Sequence, residues 1–303
     1  MGKIVVIGSS NTDMVVRAAK MPIGGETLMG GEFAVIQGGK GANQAVAAAR
    51  AGSEVTFIAK VGNDDFGKSA IEGYRNDNIN IDYVFIDPVY PTGVAIIIVD
   101  ESTGQNSIVV APGSNHQLSI QDIDAVKNKI INADAVLLQL ETPLDVVDYS
   151  LKLAKNAGVK TILNPAPAQE LSDELLQYVD IITPNESETE LITGIVLTDN
   201  HSIELAAKLL INKVGEAVVI TLGSKGVYYL LKSGESGYVS SIKVDAVDTT
   251  AAGDVFNGYF VSELTNSVGF VDALKNANKA AAISVTKKGA QPSIPTKQDL
   301  YKL

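Results

Sequence analysis

The stretch "DTTAAGDVFNGYF" at 248–260 sets three small residues, Ala251, Ala252 and Gly253, in front of Asp254 and an apolar helical pattern. Successive N–H groups of 251–254 at the positive end of such a helix can cradle an anion. Phosphate loops of the G-x-x-x-x-G-K-[ST] type carry a lysine, and this stretch has none. A carboxylate beside an anion cradle suits phosphoryl transfer, which needs positioning, charge stabilisation and a group to take the acceptor hydroxyl's proton. Asp254 is therefore the candidate base, with 251–254 as the candidate anion hole. The plainer reading makes Asp254 an ordinary helix N-cap, a place aspartate favours.

A second glycine-rich turn, "GGKGANQAVAAA" at 38–49, leads into a helix of small residues. It is neither a Walker loop nor a dinucleotide fingerprint, whose third glycine is missing. Its glycines permit close backbone approach to a compact ligand, and Asn43 offers an amide that both donates and accepts.

These groups need a frame to bring them together. Strand-like runs at 4–8, 55–61, 135–140, 161–163, 180–183 and 217–222 alternate with apolar segments at helical spacing, 44–51, 66–77, 120–131, 144–157 and 203–212. A hairpin-like stretch at 226–240 follows, then two final helices at 254–264 and 271–285. Such alternation implies βαβ units around a mostly parallel sheet. Two stretches break the pattern: 14–36, and 93–110 with a hairpin turn at 101–104. Neither has a partner helix, so both are expected in a small separate sheet over one end of the main one, within a single domain spanning 1–303. Ligands of open parallel sheets bind beyond the carboxyl ends of the strands. The polar residues expected there are Asn11 and Asp13, Glu141, Asn164, Asn185 and Glu188, and "TLGSKG" at 221–226. Together they describe a site for a polyhydroxylated ligand and a nucleotide.

Composition removes several classes of function. With 303 residues, 46% hydrophobic and 19% charged, the chain can bury a full core. A net charge of −11 without a basic stripe argues against nucleic acid as a partner. No apolar run approaches a membrane span, and the first residues enter a strand at once with no room for a signal peptide, so a cytoplasmic protein is expected. The absence of cysteine excludes disulfides, thiolate nucleophiles and cysteine-bound zinc. Only His116 and His201 are present, which disfavours a histidine triad or metal site.

From about residue 3 to 295 the chain resembles the ribokinase-like family of carbohydrate kinases. The resemblance rests on "GGKGANQAVAAARAGSEVTFIAKVG" at 38–62 and "DTTAAGDVFNGYF" at 248–260, supported by "QLE" ending at Glu141, "LNPAPA" at 163–168, "DIITPNESE" at 180–188, "TLGSKG" at 221–226 and "KKGAQPS" at 287–293. It implies a three-layer α/β fold with a mostly parallel central sheet and a β-sheet lid formed by 14–36 and 93–110. It implies transfer of phosphate from ATP to the 5-hydroxyl of ribose; a kinase for deoxyribose, a nucleoside or another sugar, and a non-catalytic sugar sensor, are the alternatives. Positions matching the family's sugar-binding residues are Asn11, Thr12, Asp13, Gly39, Lys40, Gly41, Ala42, Asn43, Glu141 and Asp254. Nucleotide positions are Asn185, Thr221, Leu222, Gly223, Ser224, Lys225, Gly226, Gly253 and Asn278, with Glu188 completing an Asn-x-x-Glu motif tied to Mg²⁺ and phosphate. Ala251, Ala252 and Gly253 match the anion hole beside Asp254. Potassium activation is implied at Asp248, Thr250, Ser284, Lys287, Gly289 and Ser293, and a homodimer through the lids. Two positions depart from the family pattern: Ala251 stands where many members have glycine, and Asn278 where some have histidine.

Overall fold

A computed structural model describes residues 1–103 and 106–302. The first third of the chain contains β1 (Lys3–Ile7), β2 (Asn11–Ala18), β3 (Glu32–Gly38), α1 (Lys40–Arg50), β4 (Glu54–Gly62), α2 (Asp65–Asn76), β5 (Val84–Asp87) and β6 (Gly93–Asp100). Next come β7 (Asn106–Ala111), α3 (Ile120–Ala125), α4 (Lys127–Ile130), β8 (Ala135–Leu138), α5 (Leu144–Asn156), β9 (Lys160–Leu163), α6 (Asp173–Leu176), β10 (Ile181–Ile182) and α7 (Glu186–Thr193). The remainder is α8 (Asn200–Ile211), β11 (Ala217–Thr221), β12 (Val227–Leu231), β13 (Ser236–Val239), α9 (Ala252–Thr265) and α10 (Phe270–Ser284).

Along β1, Ile4 and Val6 face one core while Val5 and Ile7 face another, and all four are buried. A strand buried on both faces belongs in a sheet covered by helices on both sides. That sheet has nine strands in the order β13-β12-β11-β10-β9-β8-β1-β4-β5, parallel from β11 to β5, with the β12–β13 hairpin added antiparallel at one edge. Residues of α1, α2, α9 and α10 fill the core on one face, and residues of α3, α4, α5, α6 and α8 the core on the other. The result is a three-layer α/β fold, built on the mostly parallel sheet that the strand–helix alternation implies.

The stretches without partner helices form a second sheet of their own, ordered β3-β2-β6-β7. β2 pairs with β6 in parallel, and the two outer pairs are antiparallel. This sheet is wider than 14–36 and 93–110, since β2 begins at Asn11 and β3 ends at Gly38. The expected turn at 101–104 is closed by Asp100, whose Oδ1 accepts from the amides of Ser102 and Thr103; Gly104 lies outside the described residues.

Three local features differ from the sequence expectation. The helix expected over 120–131 is broken at Val126 (φ −113°) into α3 and α4. The short edge strand β5 has only four residues and no strong alternation to reveal it. Helix α7, "ESETELIT", is too polar to show an apolar stripe and is held by a cap instead. Among the described residues no helix is long and apolar enough to cross a membrane.

Candidate active site

The turn after β1 is short. Asn11, Thr12 and Asp13, expected in the loop beyond the first strand, instead begin β2, so they lie on the small sheet where it leaves the main one. Asn115 fastens this junction: its Oδ1 accepts from the Ser10 amide at 2.8 Å, and its Nδ2 donates to Asn11 Oδ1 at 2.7 Å. All three side chains from Asn11 to Asp13 are buried.

Helix α1 begins at Lys40, so Lys40, Gly41, Ala42 and Asn43 form its first turn rather than a preceding loop. Gly39 is the N-cap at φ 89°, a conformation glycine adopts without strain. The protein's own packing requires the glycine at 41: a Cβ there would lie 2.5 Å from the backbone of Gly8 and Ser9. Helix and strand backbones thereby touch, and Asn43 and Gln44 are carried into the interior.

At the other glycine-rich stretch, Ala251 is the N-cap of α9, in the left-handed conformation (φ 62°, ψ 8°). Asp254 therefore sits at the third helical position and is not the cap. Its carboxylate turns away from its own helix end: Oδ2 accepts from Asn43 Nδ2 at 3.0 Å and Oδ1 from Gln44 Nε2 at 2.9 Å. Of the expected cradle, the Ala252 amide already donates to Thr249 O at 3.3 Å. The amides of Gly253 and Asp254 have no carbonyl one turn earlier to bond and remain for an anion. Gly253 is exposed, and a Cβ there would meet nothing within 4 Å, so the start of α9 is open to solvent on the side of this glycine.

Around this point four carboxylates surround one lysine. Burial alone pulls the Lys40 ammonium down, but Asp254, Glu141, Glu188 and Asp13 together hold it above the ordinary lysine value. Burial pushes the Asp254 carboxyl up, opposed by Lys40 and by the amides of Asn43 and Gln44. Asp13 is raised to about 7, by burial first and then by Glu141 and Asp254. Glu141 is held in place by its Oε2, which accepts from Ser9 Oγ at 2.5 Å and from the Lys40 amide at 3.1 Å. The sequence-predicted sugar residues thus converge. Two buried polar atoms among them, Thr12 Oγ1 and Asn43 Oδ1, have no protein partner.

A second group lies along the neighbouring strand ends. Asn185 forms an isolated bridge with Thr221, placing 185–188 beside the 221–226 segment. Asn185 and Glu188 make a reciprocal capping box at the start of α7: Asn185 Oδ1 accepts from the Glu188 amide, and Glu188 Oε2 from the Asn185 amide, both at 2.8 Å. Glu188 is buried and electrostatically coupled to both Lys40 and Asp254, so this group adjoins the first. Beyond Thr221 and the buried Leu222, residues Gly223, Ser224 and Lys225 are an exposed 3₁₀ turn closed by Gly226. Asn278 is buried with its amide donated to Val239 O at 3.0 Å, tying α10 to the end of β13.

A third group joins three segments. Asp248 Oδ1 accepts from the Thr250 amide and hydroxyl, and Oδ2 accepts from the Gly289 amide at 2.9 Å. The amides of Val247 and Asp248 bond Val285 O, and the Lys287 amide bonds Ser284 O. Ser293 is fully buried with its hydroxyl on Ala290 O. From the small sheet, Arg17 approaches Asp248 at 3.6 Å and Glu32 pairs with Lys288 at 3.2 Å. Between that sheet and this loop opens a cleft of about 350 Å³ whose lining includes Asp13, Ile36, Thr250 and Gly289.

Sequence reasoning passed over Gln44, Gln139, Thr183, Asn257 and Ser9, all buried polar residues at or near these groups. Gln44 carried a signal, as an amide beside Asn43 in an otherwise alanine-rich helix.

A carboxylate and free helix-start amides, at the strand ends of a parallel sheet partly roofed by a second sheet, define a phosphotransferase of the three-layer α/β class. Residues 1–297 match the family described as pfkB family carbohydrate kinase, and the chain belongs to that family. It is 46% identical to a ribokinase of Haemophilus influenzae over 296 residues, covering 98% of this chain and 96% of that protein. It is 38% identical to a deoxyribokinase of Salmonella typhi over 294 residues, covering 97% and 95%. Among solved structures, an Arabidopsis thaliana ribokinase complexed with ribose and ATP superimposes with a TM-score of 0.90 at 32% identity, covering 99% of this chain and 98% of that one.

Proposed function

We propose that this chain transfers the terminal phosphoryl group of ATP to the 5-hydroxyl of D-ribose, giving ribose 5-phosphate and ADP. The observation that carries the reading is the placement of Asp254. It is a buried carboxylate with both oxygens held by side-chain amides, in the first turn of a helix whose start is exposed at Gly253. Asp254 takes the proton of the attacking hydroxyl, while the amides of Gly253 and Asp254 and the Lys40 ammonium receive the charge on the transferring group. Asn11, Asp13, Asn43 and Glu141 bind the sugar hydroxyls; the unpartnered Thr12 Oγ1 and Asn43 Oδ1 support this, because a hydroxylated ligand supplies what they lack. Asn185 and the 221–226 segment hold the nucleotide. Asn278 serves it indirectly, by anchoring the strand end beside it.

Two cations fit residues that are present. Glu188 is a buried carboxylate beside the anion site, suited to Mg²⁺ that keeps most of its water and phosphate ligands. Asp248 with the backbone of 284–293 offers an oxygen-rich cluster for K⁺, in which Thr250, Ser284, Lys287, Gly289 and Ser293 take part. Such cations supply fixed positive charge near the phosphates. The small sheet acts as a lid over the sugar, and its outer face, with Phe33, Val35, Ile96 and Val109 exposed, suits pairing with a second copy.

The test is ADP release measured across pentoses, hexoses and nucleosides, with Asp254→Asn alongside. Ribose is expected to turn over fastest, and Asp254→Asn to lower kcat by about 10²–10⁴ with ribose binding largely retained. Faster turnover of deoxyribose or a nucleoside would replace the substrate. Asp254→Asn within a few-fold of the parent would remove the base.

A further inference from the structure

Asp254 is backed by a continuous chain of buried amides that the proposed reaction does not use. Gln44 Nε2 donates both its hydrogens, one to Asp254 Oδ1 at 2.9 Å and one to Asn164 Oδ1 at 3.0 Å. Gln44 Oε1 accepts from Gln139 Nε2 at 2.6 Å. Asn164 Nδ2 donates to the carbonyl of Thr183 at 3.0 Å. The Thr183 hydroxyl donates to Asn257 Oδ1 at 2.6 Å, and Asn257 Nδ2 returns to the carbonyl of Gly253 at 2.8 Å. Gln44, Gln139, Thr183 and Asn257 are at most 1% exposed, and Asn164 is 7% exposed, so water does not substitute readily for any link.

The direction of every bond is set by the ends of the chain. Two backbone carbonyls, Thr183 O and Gly253 O, can only accept, which orients Asn164 and Asn257. With Asn164 oriented, its Oδ1 demands a donor, and so does the Asp254 carboxylate. Gln44 can meet both only with its nitrogen, leaving its oxygen for Gln139. A flipped Gln44 would set its oxygen against two acceptors and its nitrogen against a donor, at a buried site where unmade bonds are costly.

We propose that Gln44 is a positioning residue for phosphoryl transfer: locked by Gln139 and Asn164, it fixes the rotamer of Asp254 and favours its ionised form, while the same chain grips the first turn of α9 at Gly253. The proposal rests on the reading of Asp254 as the base. Its physical content is that a donor held in one orientation stabilises a carboxylate without becoming mobile itself.

The test compares pH–rate profiles of kcat/KM for the parent, Gln44→Met, Gln44→Glu and Asp254→Asn, each with ribose titration and thermal melting. Lys40, Glu141, Asp13 and Glu188 also bear on Asp254, and all four stay unchanged in every variant. Gln44→Met is expected to fold, to lose about 10- to 100-fold in kcat, and to bind ribose within about threefold of the parent. The acid limb of its profile moves to higher pH by about 0.5–1 unit, because the ionised base has lost a donor. Gln44→Glu moves the limb further up, since two adjoining carboxyls cannot both ionise freely. A residue that merely fills space would lower activity and leave the limb where it was.

Should Gln44→Met not fold, Gln139→Leu carries the same test, because it leaves Gln44 in place and unlocks its amide. An unmoved acid limb in the folded variant, with Asp254→Asn inactive, overturns the positioning role and leaves the base reading standing. An active Asp254→Asn instead overturns the base reading, and this inference with it.

Discussion

Lys40 and Asp254 stand 214 positions apart in the chain and are electrostatically coupled in the fold. The lysine that the 248–254 stretch lacks is delivered by the first turn of α1, because α1 and α9 pack side by side on the same face of the sheet. Gly258 makes that approach possible: a Cβ there would lie 2.5 Å from the Cβ of Ala47.

Replacing Lys40 by Met removes the charge that four carboxylates share. We expect kcat/KM to fall about 10²-fold or more. The acid limb should also rise, since Lys40 holds both Asp254 and Asp13 down. Steady-state kinetics from pH 5.5 to 9 check both; a parental profile would show that the ammonium does not reach the reacting groups.

Asp13 carries a cost in stability. Its carboxyl titrates at about 7 in the folded chain against an ordinary value of 3.8, so the folded state binds this proton more tightly than the unfolded one. The stability it contributes is complete below pH about 4 and is lost as pH rises through about 7. Asp13→Asn cannot ionise, and we expect it to be more stable than the parent at pH 8, by at most about 4 kcal/mol, with no gain near pH 4. Urea unfolding at the two pH values decides it, and equal differences at both would refute the shift. Activity should fall at every pH.

Ala251 occupies left-handed backbone that costs an L-residue about 1–2 kcal/mol, while Ala252 opens a regular helix. Ala251→Gly should therefore be neutral or stabilising by up to about 1 kcal/mol, the loss of strain outweighing the greater freedom of the unfolded chain. Ala252→Gly should be destabilising. Thermal melts of the pair test this, and equal destabilisation would show that Ala251 is unstrained.

Binding of ribose should order the small sheet. Its links to the main body include the Asn11–Asn115 junction, a hydrogen bond from Gln37 Nε2 to Ser69 Oγ, and two ion pairs, Arg17–Asp248 and Glu32–Lys288, of which the second is exposed. Amide hydrogen exchange over 11–18, 32–38 and 93–100 should slow with ribose, while the strands β1, β8 and β9 stay unchanged. Unaltered exchange in the small sheet would exclude a closing lid.

Much of this architecture was legible from local pattern. The inner strands of the main sheet carry their own buried runs, and the break in alternation marked the small sheet, because neither reading needs more than a window of neighbouring residues. The place of Asp254 was legible too, as a carboxylate behind small residues at a helix start. Its being the third helical residue was not: that follows from the φ of Ala251, which the packed loop imposes against the residue's own preference.

By itself the sequence determined which residue types were available, and that they lie where strands end. Tertiary structure alone decided what they meet. Whether Gln44 faces Asp254 depends on α1 and α9 sharing one face of the sheet. Whether Gln139 reaches Gln44 depends on β8 lying next to β1. Whether Asn11 to Asp13 end a loop or open a strand depends on β6, which pairs with them from more than 80 residues away. Short-range preference cannot encode such choices, because burial of two apolar faces sets the strand order, and the polar groups are carried to their partners with it.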